Sequence, residues 1–327
     1  MKSYSFKRRF VYFLLYISGI SWLFLKFRKR NSLLHVYGHR VLNPNTEINK
    51  FFINSGHAIS RTNFKRKIKF LTNNFSATNI HDLDENSFLV SFDDGYKDNL
   101  NIALPVLEAS KINLHIFVIG NIIKNRAFFW PDILGYIFYK IEGKYKFNFS
   151  NQYFYFSSKK DKINSYLKIC NILKEQNNIF IENAVNSIIK TVKCEPNIIF
   201  DDLYITEKDI LVNNNGVSYG AHSFNHENLC LLSNEELGIT INDSIKYISE
   251  LIGKEVGTFA YPYGIYNKNV TNYFQKYKPC EYSFTTKVNN VNSNYEMNRV
   301  NLNLNPYFVF HVEISGAFNE FFSRKNS

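Results

Sequence analysis

The chain has 327 residues, 45% of them hydrophobic and 31 of them Phe, which is too much for one minimal domain, suits one barrel-sized domain with an insertion, and excludes a disordered chain. Net charge is +11, but the basic residues gather near the N-terminus (Lys2, Lys7, Arg8, Arg9, then Lys26, Arg28, Lys29, Arg30) around an apolar segment, which fits an anionic lipid surface and argues against nucleic acid as a partner. Four widely separated cysteines (Cys170, Cys194, Cys230, Cys280) with no C-x-x-C pair exclude a zinc ribbon and a disulfide framework.

Phe10 to Leu25 is almost wholly apolar but falls short of the ~20 residues that span a bilayer comfortably. No small-residue cleavage site follows it, so a cleaved leader fits poorly. A spanning anchor and a helix lying in the interface both remain, and residues 1–32 are expected to be a membrane-associating segment. The expected partner there is a membrane surface, with the inner membrane as the expected location and the rest of the chain on its cytoplasmic side.

Residues 33–327 read as one domain with an insertion. Leu33 to Val41 is a first strand ending in Tyr37-Gly38-His39-Arg40, and Asn63 to Phe70 begins an amphipathic helix. Phe88 to Phe92 is a buried strand that stops at Asp93-Asp94-Gly95, where the glycine permits a turn. Asn101 to Ala109 is a helix with Pro105 near its first turn, and Leu114 to Ile119 is the next strand. This strand, helix, strand order implies parallel pairing and an α/β fold. From about 121 to 215 the pattern changes to lysine-rich helices (Lys160 to Lys174, Phe180 to Lys193) after a tyrosine-rich run, read as a helical insertion capping the mouth of the domain; a separate small domain is the alternative. Alternation resumes with the strand Gly216 to Tyr219. A helix follows, capped by Ser233 with Glu236 and ended by Gly253. The strand Val256 to Tyr261 then stops at Pro262-Tyr263-Gly264, and a last helix and strand lie near Asn267 to Lys276 and Glu281 to Thr286.

Two carboxylates at one strand end suit two roles, one holding a cation and one handling a proton. His222 and His226, four apart, have the spacing at which two imidazoles on one helical turn grip one ion. Two histidines and a carboxylate leave a metal position open for water, as in catalytic rather than structural sites. A surface Asp-Asp-Gly turn and ordinary histidines are the plain alternatives. His115 reads as a satisfied core histidine, and His39 as a residue that lines the pocket. Trp130 and the run Tyr153-Phe154-Tyr155 read as core packing.

Ser91-Phe92-Asp93-Asp94-Gly95, His222-Ser223-Phe224-Asn225-His226 and Phe259-Ala260-Tyr261-Pro262-Tyr263-Gly264 resemble the first three motifs of the polysaccharide deacetylases, carbohydrate esterase family 4, in that family's order. The similarity extends from about Leu34 to Val300. It implies a distorted (β/α) barrel of about seven strands and a divalent metal, often Zn2+. It also implies that Asp94, His222 and His226 hold the metal and that Asp93 is the general base. The backbone N–H of Tyr263 would hold the oxyanion, with Pro262, Tyr263 and His39 against the substrate. The sequence departs from the family pattern where Ala260 replaces the third-motif arginine and where the late histidine has no clear counterpart. Arg299 is expected to orient Asp93 from a neighbouring strand end, a surface arginine being the alternative. His311 is a weak candidate for the acid, with a structural histidine the better reading. The resemblance implies a hydrolase that removes acetyl from an N-acetylated glycan or its lipid-linked precursor in surface-polysaccharide synthesis. A glycan-binding homologue without turnover and an O-acetyl esterase are the alternatives.

Overall fold

The computed structural model describes residues 6–27, 33–83, 87–212, 216–286 and 293–318. Lys2, Arg28, Lys29 and Arg30 of the basic clusters lie outside these residues. The central sheet pairs its strands in parallel: Leu34–Gly38 beside Ser87–Phe92, then Leu114–Val118, Val217–Ala221, Thr258–Ala260 and Tyr282–Thr285. The two edges meet in one run of chain. Met297–Asn298 pairs with Tyr282–Thr285, Val300–Asn301 pairs with Leu34–Gly38, and Arg299 stands at the changeover. A short stub, Ser76–Ala77, lies outside this circuit. Counted as one, the last run is the seventh strand of a sheet nearly closed into a barrel, as the resemblance implied.

Side-chain alternation sorts the strands into two faces. Leu34, Val36, Phe88, Val90, Phe92, Leu114, Ile116, Val118, Tyr219 and Phe259 join the main core shared with the surrounding helices. The opposite parity carries small and polar groups: Ser91, Ser218, Gly220 and Thr258, with His35, His115, Leu89, Phe117 and Phe284. His35 bonds Ser91 Oγ at 2.7 Å, and His115 bonds Ser218 Oγ at 2.7 Å and Thr258 Oγ1 at 3.1 Å. His115 is the satisfied core histidine expected, and burial pushes it down to about 3.

Local signals hold where the chain supplies them. The Asn234–Ile252 helix has a reciprocal Ser233–Glu236 capping box and a left-handed Gly253 at its end. Pro105 sits in the first turn of the short helix Leu104–Glu108, which continues a π-helical turn, Asn99–Ala103.

The insertion departs from the expectation of helices alone. Between the helices Trp130–Lys140 and Lys159–Leu173, the strands Lys144–Lys146 and Tyr153–Tyr155 form an antiparallel hairpin. Phe154 is buried in it while Tyr153 and Tyr155 are exposed beneath Lys144, so the aromatic run is core at one position of three. Strand parity separates them. A second core gathers Leu134, Phe138, Phe147, Phe156, Tyr166 and Ile188 with Phe51 and Phe52.

The N-terminal apolar segment is two helices, Phe6–Ile17 and Ile20–Phe27, bent 68° from one another; no single described helix is long and apolar enough to cross a membrane. Tyr12 and Leu15 pack on Val309 and Val312 of the helix Tyr307–Ser315. His311 of that helix is packed among Tyr16, Trp22 and Phe70. It lies with these helices rather than at the strand ends, which corrects its candidacy as an acid. None of the four cysteines is joined in a disulfide.

Candidate active site

The parallel strands of the central sheet deliver their C-terminal ends to one rim, and the inward parity continues past them. His39 follows His35 and Tyr37, Asp93 follows Leu89 and Ser91, and His222 follows Ser218 and Gly220, so all three carry the inward parity to the mouth of the barrel. Asp94 has the wrong parity, and the chain corrects it. Asp94 takes φ 75° and Gly95 φ 78°, so the turn begins on the aspartate itself and brings both carboxylates into the site.

Asp94, His222 and His226 are buried, with one ligand atom from each lying within 4.8 Å of the others. Asp94 Oδ1 is 3.4 Å from His222 Nε2 and 3.5 Å from His226 Nε2. His226 does not reach this point on a helical turn, as its spacing suggested. Residues 222–226 form a loop in which Ser223 and His226 take φ of 57° and 56°. Non-glycine residues in the left-handed region are uncommon, and Asp94, Ser223 and His226 all adopt it at this site.

The donor set suits a divalent cation. Asp94 Oδ1 is a buried acceptor with no hydrogen-bond partner among the described residues. His222 Nδ1 contacts the Ala260 carbonyl at 2.7 Å, which fixes the N–H on that nitrogen and turns Nε2 toward Asp94, the arrangement that metal-binding histidines use. Burial by itself would raise the Asp94 carboxyl, but His222, His39 and His226 outweigh it and hold the group well below the usual carboxylate range. Burial draws His222 down, and the two carboxylates reverse this and raise it. His226 is pushed down to about 3, by burial first and then by His222.

Asp93 is held separately. Arg299 donates from Nη1 to Oδ1 at 2.7 Å and from Nη2 to Oδ2 at 2.9 Å, with its side chain fully buried. The guanidinium lies 4.4 Å from the Tyr37 ring centroid. Arg299 is therefore no surface arginine. Ala260 belongs to the packed barrel interior with Leu89, Phe117 and Phe284, and the guanidinium that reaches Asp93 comes from the last strand instead of the third motif.

Pro262 is buried in a tight turn in which Tyr263 takes φ 58°. The Tyr263 ring meets His226 edge-on at 4.4 Å, and its hydroxyl accepts from Trp130 Nε1 at 3.3 Å. Trp130 thus stands at the site's edge as well as against the core. Burial pushes the Tyr263 hydroxyl above its ordinary range. His39 is only half buried, and it is close enough for its charge to bear on both Asp94 and His226.

Several positioning groups were not singled out from the sequence. Asp98 accepts from Arg40 Nε at 2.9 Å and from the Val41 N–H at 2.7 Å, and Asn99 donates to the His39 carbonyl at 2.9 Å. Together they clamp the strand end that carries His39. Glu227 ties down the histidine loop, accepting from Ser223 Oγ at 2.7 Å, the Asn225 N–H at 3.1 Å and Thr240 Oγ1 at 2.7 Å. Asp132 accepts from Tyr96 and Tyr204 at 3.0 and 2.6 Å, joining the insertion to the turn after Gly95, and burial pushes it up to about 6. Glu227 directly follows His226, and Asp98-Asn99 closely follows Gly95, but neither pair has a spacing that announces a partner.

Residues 200–279 match the family model described as polysaccharide deacetylase. No curated protein matches the chain. Among solved structures, IcaB from Ammonifex degensii aligns with a TM-score of 0.54 at 16% identity, covering 88% of this chain and 97% of that one. A Streptococcus pyogenes deacetylase, PplD, in complex with acetate aligns at 0.51 and 13% identity, covering 83% and 92%. A de-N-acetylase from Aggregatibacter actinomycetemcomitans aligns at 0.51 and 13% identity, covering 86% and 100%. At such identities the likeness is one of fold. With the family match spanning His222, His226 and the Tyr-Pro-Tyr-Gly turn, on a barrel of the same fold, the resemblance to the polysaccharide deacetylases, hydrolases of carbon–nitrogen bonds, is borne out.

Proposed function

We propose that this protein hydrolyses the N-acetyl group of an amino sugar in a surface polysaccharide or its lipid-linked precursor, with a divalent metal, Zn2+ by its donor chemistry, held by Asp94, His222 and His226. The observation that carries this reading is the pairing of the Asp94, His222, His226 cluster with a second carboxylate, Asp93, that Arg299 holds apart from it. When bound, the metal supplies positive charge that activates water and polarises the acetamide carbonyl.

The chain's own groups do the rest. Asp93, fixed at both oxygens, accepts the proton of the attacking water as the water oxygen bonds to the acetyl carbon. The Tyr263 N–H, presented by its left-handed turn, donates to the oxyanion, a contribution worth ~3 kcal/mol. The C–N bond then breaks, acetate leaves, and the sugar nitrogen needs a proton. His39 is a half-buried imidazole at this rim outside the metal cluster and is the proposed donor; His57, also half-buried, is engaged by Ser55 Oγ and the Tyr166 ring. His35 and His115 are held in the barrel interior, and His311 lies among the terminal helices. With Arg299 and His39 in these places, the residues missing from the family pattern do not favour a binding protein without turnover.

The test is acetate release from a panel of N-acetylated glycans compared with an O-acetyl ester. His39→Gln should slow amide cleavage far more than cleavage of an activated ester, whose leaving group departs without a proton. Equal slowing of both would remove His39 from the acid role. Metal binding with no acetate release from any N-acetylated glycan would overturn the deacetylase reading.

A further inference from the structure

The Phe6–Ile17 helix has two unlike faces. Tyr12 and Leu15 are buried against Val309 and Val312, and Arg8 and Tyr12 reach Glu313. Phe6, Phe10, Phe13 and Ile17 follow one another at intervals of four, three and four residues, which places them on one stripe. All four are exposed, Phe6 at 86%. Leu23 and Phe27 extend the exposed apolar surface along the second helix. An exposed aromatic and aliphatic stripe of this length on one helix marks a binding surface rather than ordinary surface scatter. Lys7, Arg9 and Lys26 lie beside it, and the sequence adds Lys2, Arg28, Lys29 and Arg30.

We infer that this bent helix pair lies in one leaflet of an anionic membrane, as a monotopic anchor, and does not cross the bilayer. Geometry favours this over spanning. Helices of 12 and 8 residues are about 18 and 12 Å long; bent 68° apart, they reach about 22 Å along the first axis, against a hydrocarbon core of about 30 Å. The inner face is also committed to the Tyr307–Ser315 helix. A spanning placement would carry Glu313 and the Tyr307–Ser315 helix into hydrocarbon with it. Lying flat, the stripe enters the acyl boundary while lysines and arginines at both ends of the segment meet anionic headgroups. The charge at both ends, which gives a spanning helix no orientation, is what an in-plane helix needs.

The experiment uses the full chain with phosphatidylcholine vesicles containing or lacking phosphatidylglycerol. Binding should be stronger to the anionic vesicles and weaken with salt, and Phe13→Glu with Leu23→Glu should lower it at least ~10-fold while acetate release from a soluble substrate is unchanged. Single cysteines, Lys7→Cys and Lys26→Cys, introduced with Cys194 and Cys230 replaced by Ser, should both react from outside the vesicle with an impermeant thiol reagent. Protection of one of the two would show a spanning helix and overturn the inference. So would equal failure to bind either vesicle, or a concentration-dependent dimer abolished by the double substitution, which would assign the stripe to a second copy of the chain.

Discussion

Arg299 grips Asp93 by both carboxylate oxygens, at 2.7 and 2.9 Å, from the single residue at which the last barrel strand changes neighbours. Barrel closure and the orientation of Asp93 therefore depend on the same residue. The Arg299 backbone N–H donates to the Thr285 carbonyl on one side, and the Leu302 N–H donates to the Tyr37 carbonyl on the other, which pins the main chain that carries Arg299 to both edges.

Arg299→Ala leaves a buried carboxylate without its partner and should destabilise the fold by about 3–5 kcal/mol, read as a lowered denaturation midpoint. Arg299→Lys keeps the charge but loses the two-pronged geometry, so the barrel should survive while kcat falls on the order of 10–100-fold. A lysine variant with unchanged kcat would show that the fork is not needed.

Asp93 and His222 should separate chemistry from metal binding. Asp93→Asn is expected to keep its metal and lose acetate release, whereas His222→Ala should lose both; metal content and acetate assays on the same preparations check this. The reverse pattern would overturn the roles assigned to both residues.

Glu227 touches none of the proposed reacting groups but sets the loop that carries His222 and His226. Glu227→Ala should weaken metal affinity by roughly 10–100-fold, as loss of a supporting partner does. Saturating metal should restore kcat, which a general unfolding defect would not permit.

Lys67 is buried, and its ammonium donates to the Leu302 and Leu304 carbonyls at 2.7 and 2.6 Å, just beyond Arg299. Burial, with Arg66 adding to it, pushes Lys67 down to about 7 from its ordinary 10.5. Between these values the unfolded chain holds a proton that the folded chain has shed, so stability rises with pH across that window and is lowest below it. Urea midpoints of wild type relative to Lys67→Met should therefore improve from neutral pH toward the ordinary lysine range. A pH-independent difference would mean that the group stays charged in place.

The barrel and its mouth were legible because strand parity and motif order are local. His39, Asp93 and His222 each extend an inward-facing series that can be counted in the sequence. The turn at Asp94 was only half legible, since Gly95 signalled it while the left-handed aspartate did not. The helical reading of His222 to His226 failed because spacing of four also suits a loop held by a distant threonine, Thr240. The packing of Tyr12 on Val312 and the grip of Lys67 on Leu302 join positions far apart in the chain, and no periodicity reports such contacts.

The most direct measurement is acetate release from an N-acetylated glycan before and after chelation, with bound metal counted in parallel. The account predicts one divalent ion per chain, loss of activity on its removal, recovery when Zn2+ is returned, and no recovery in Asp94→Asn. Acetate release that persists in protein stripped of metal would contradict it.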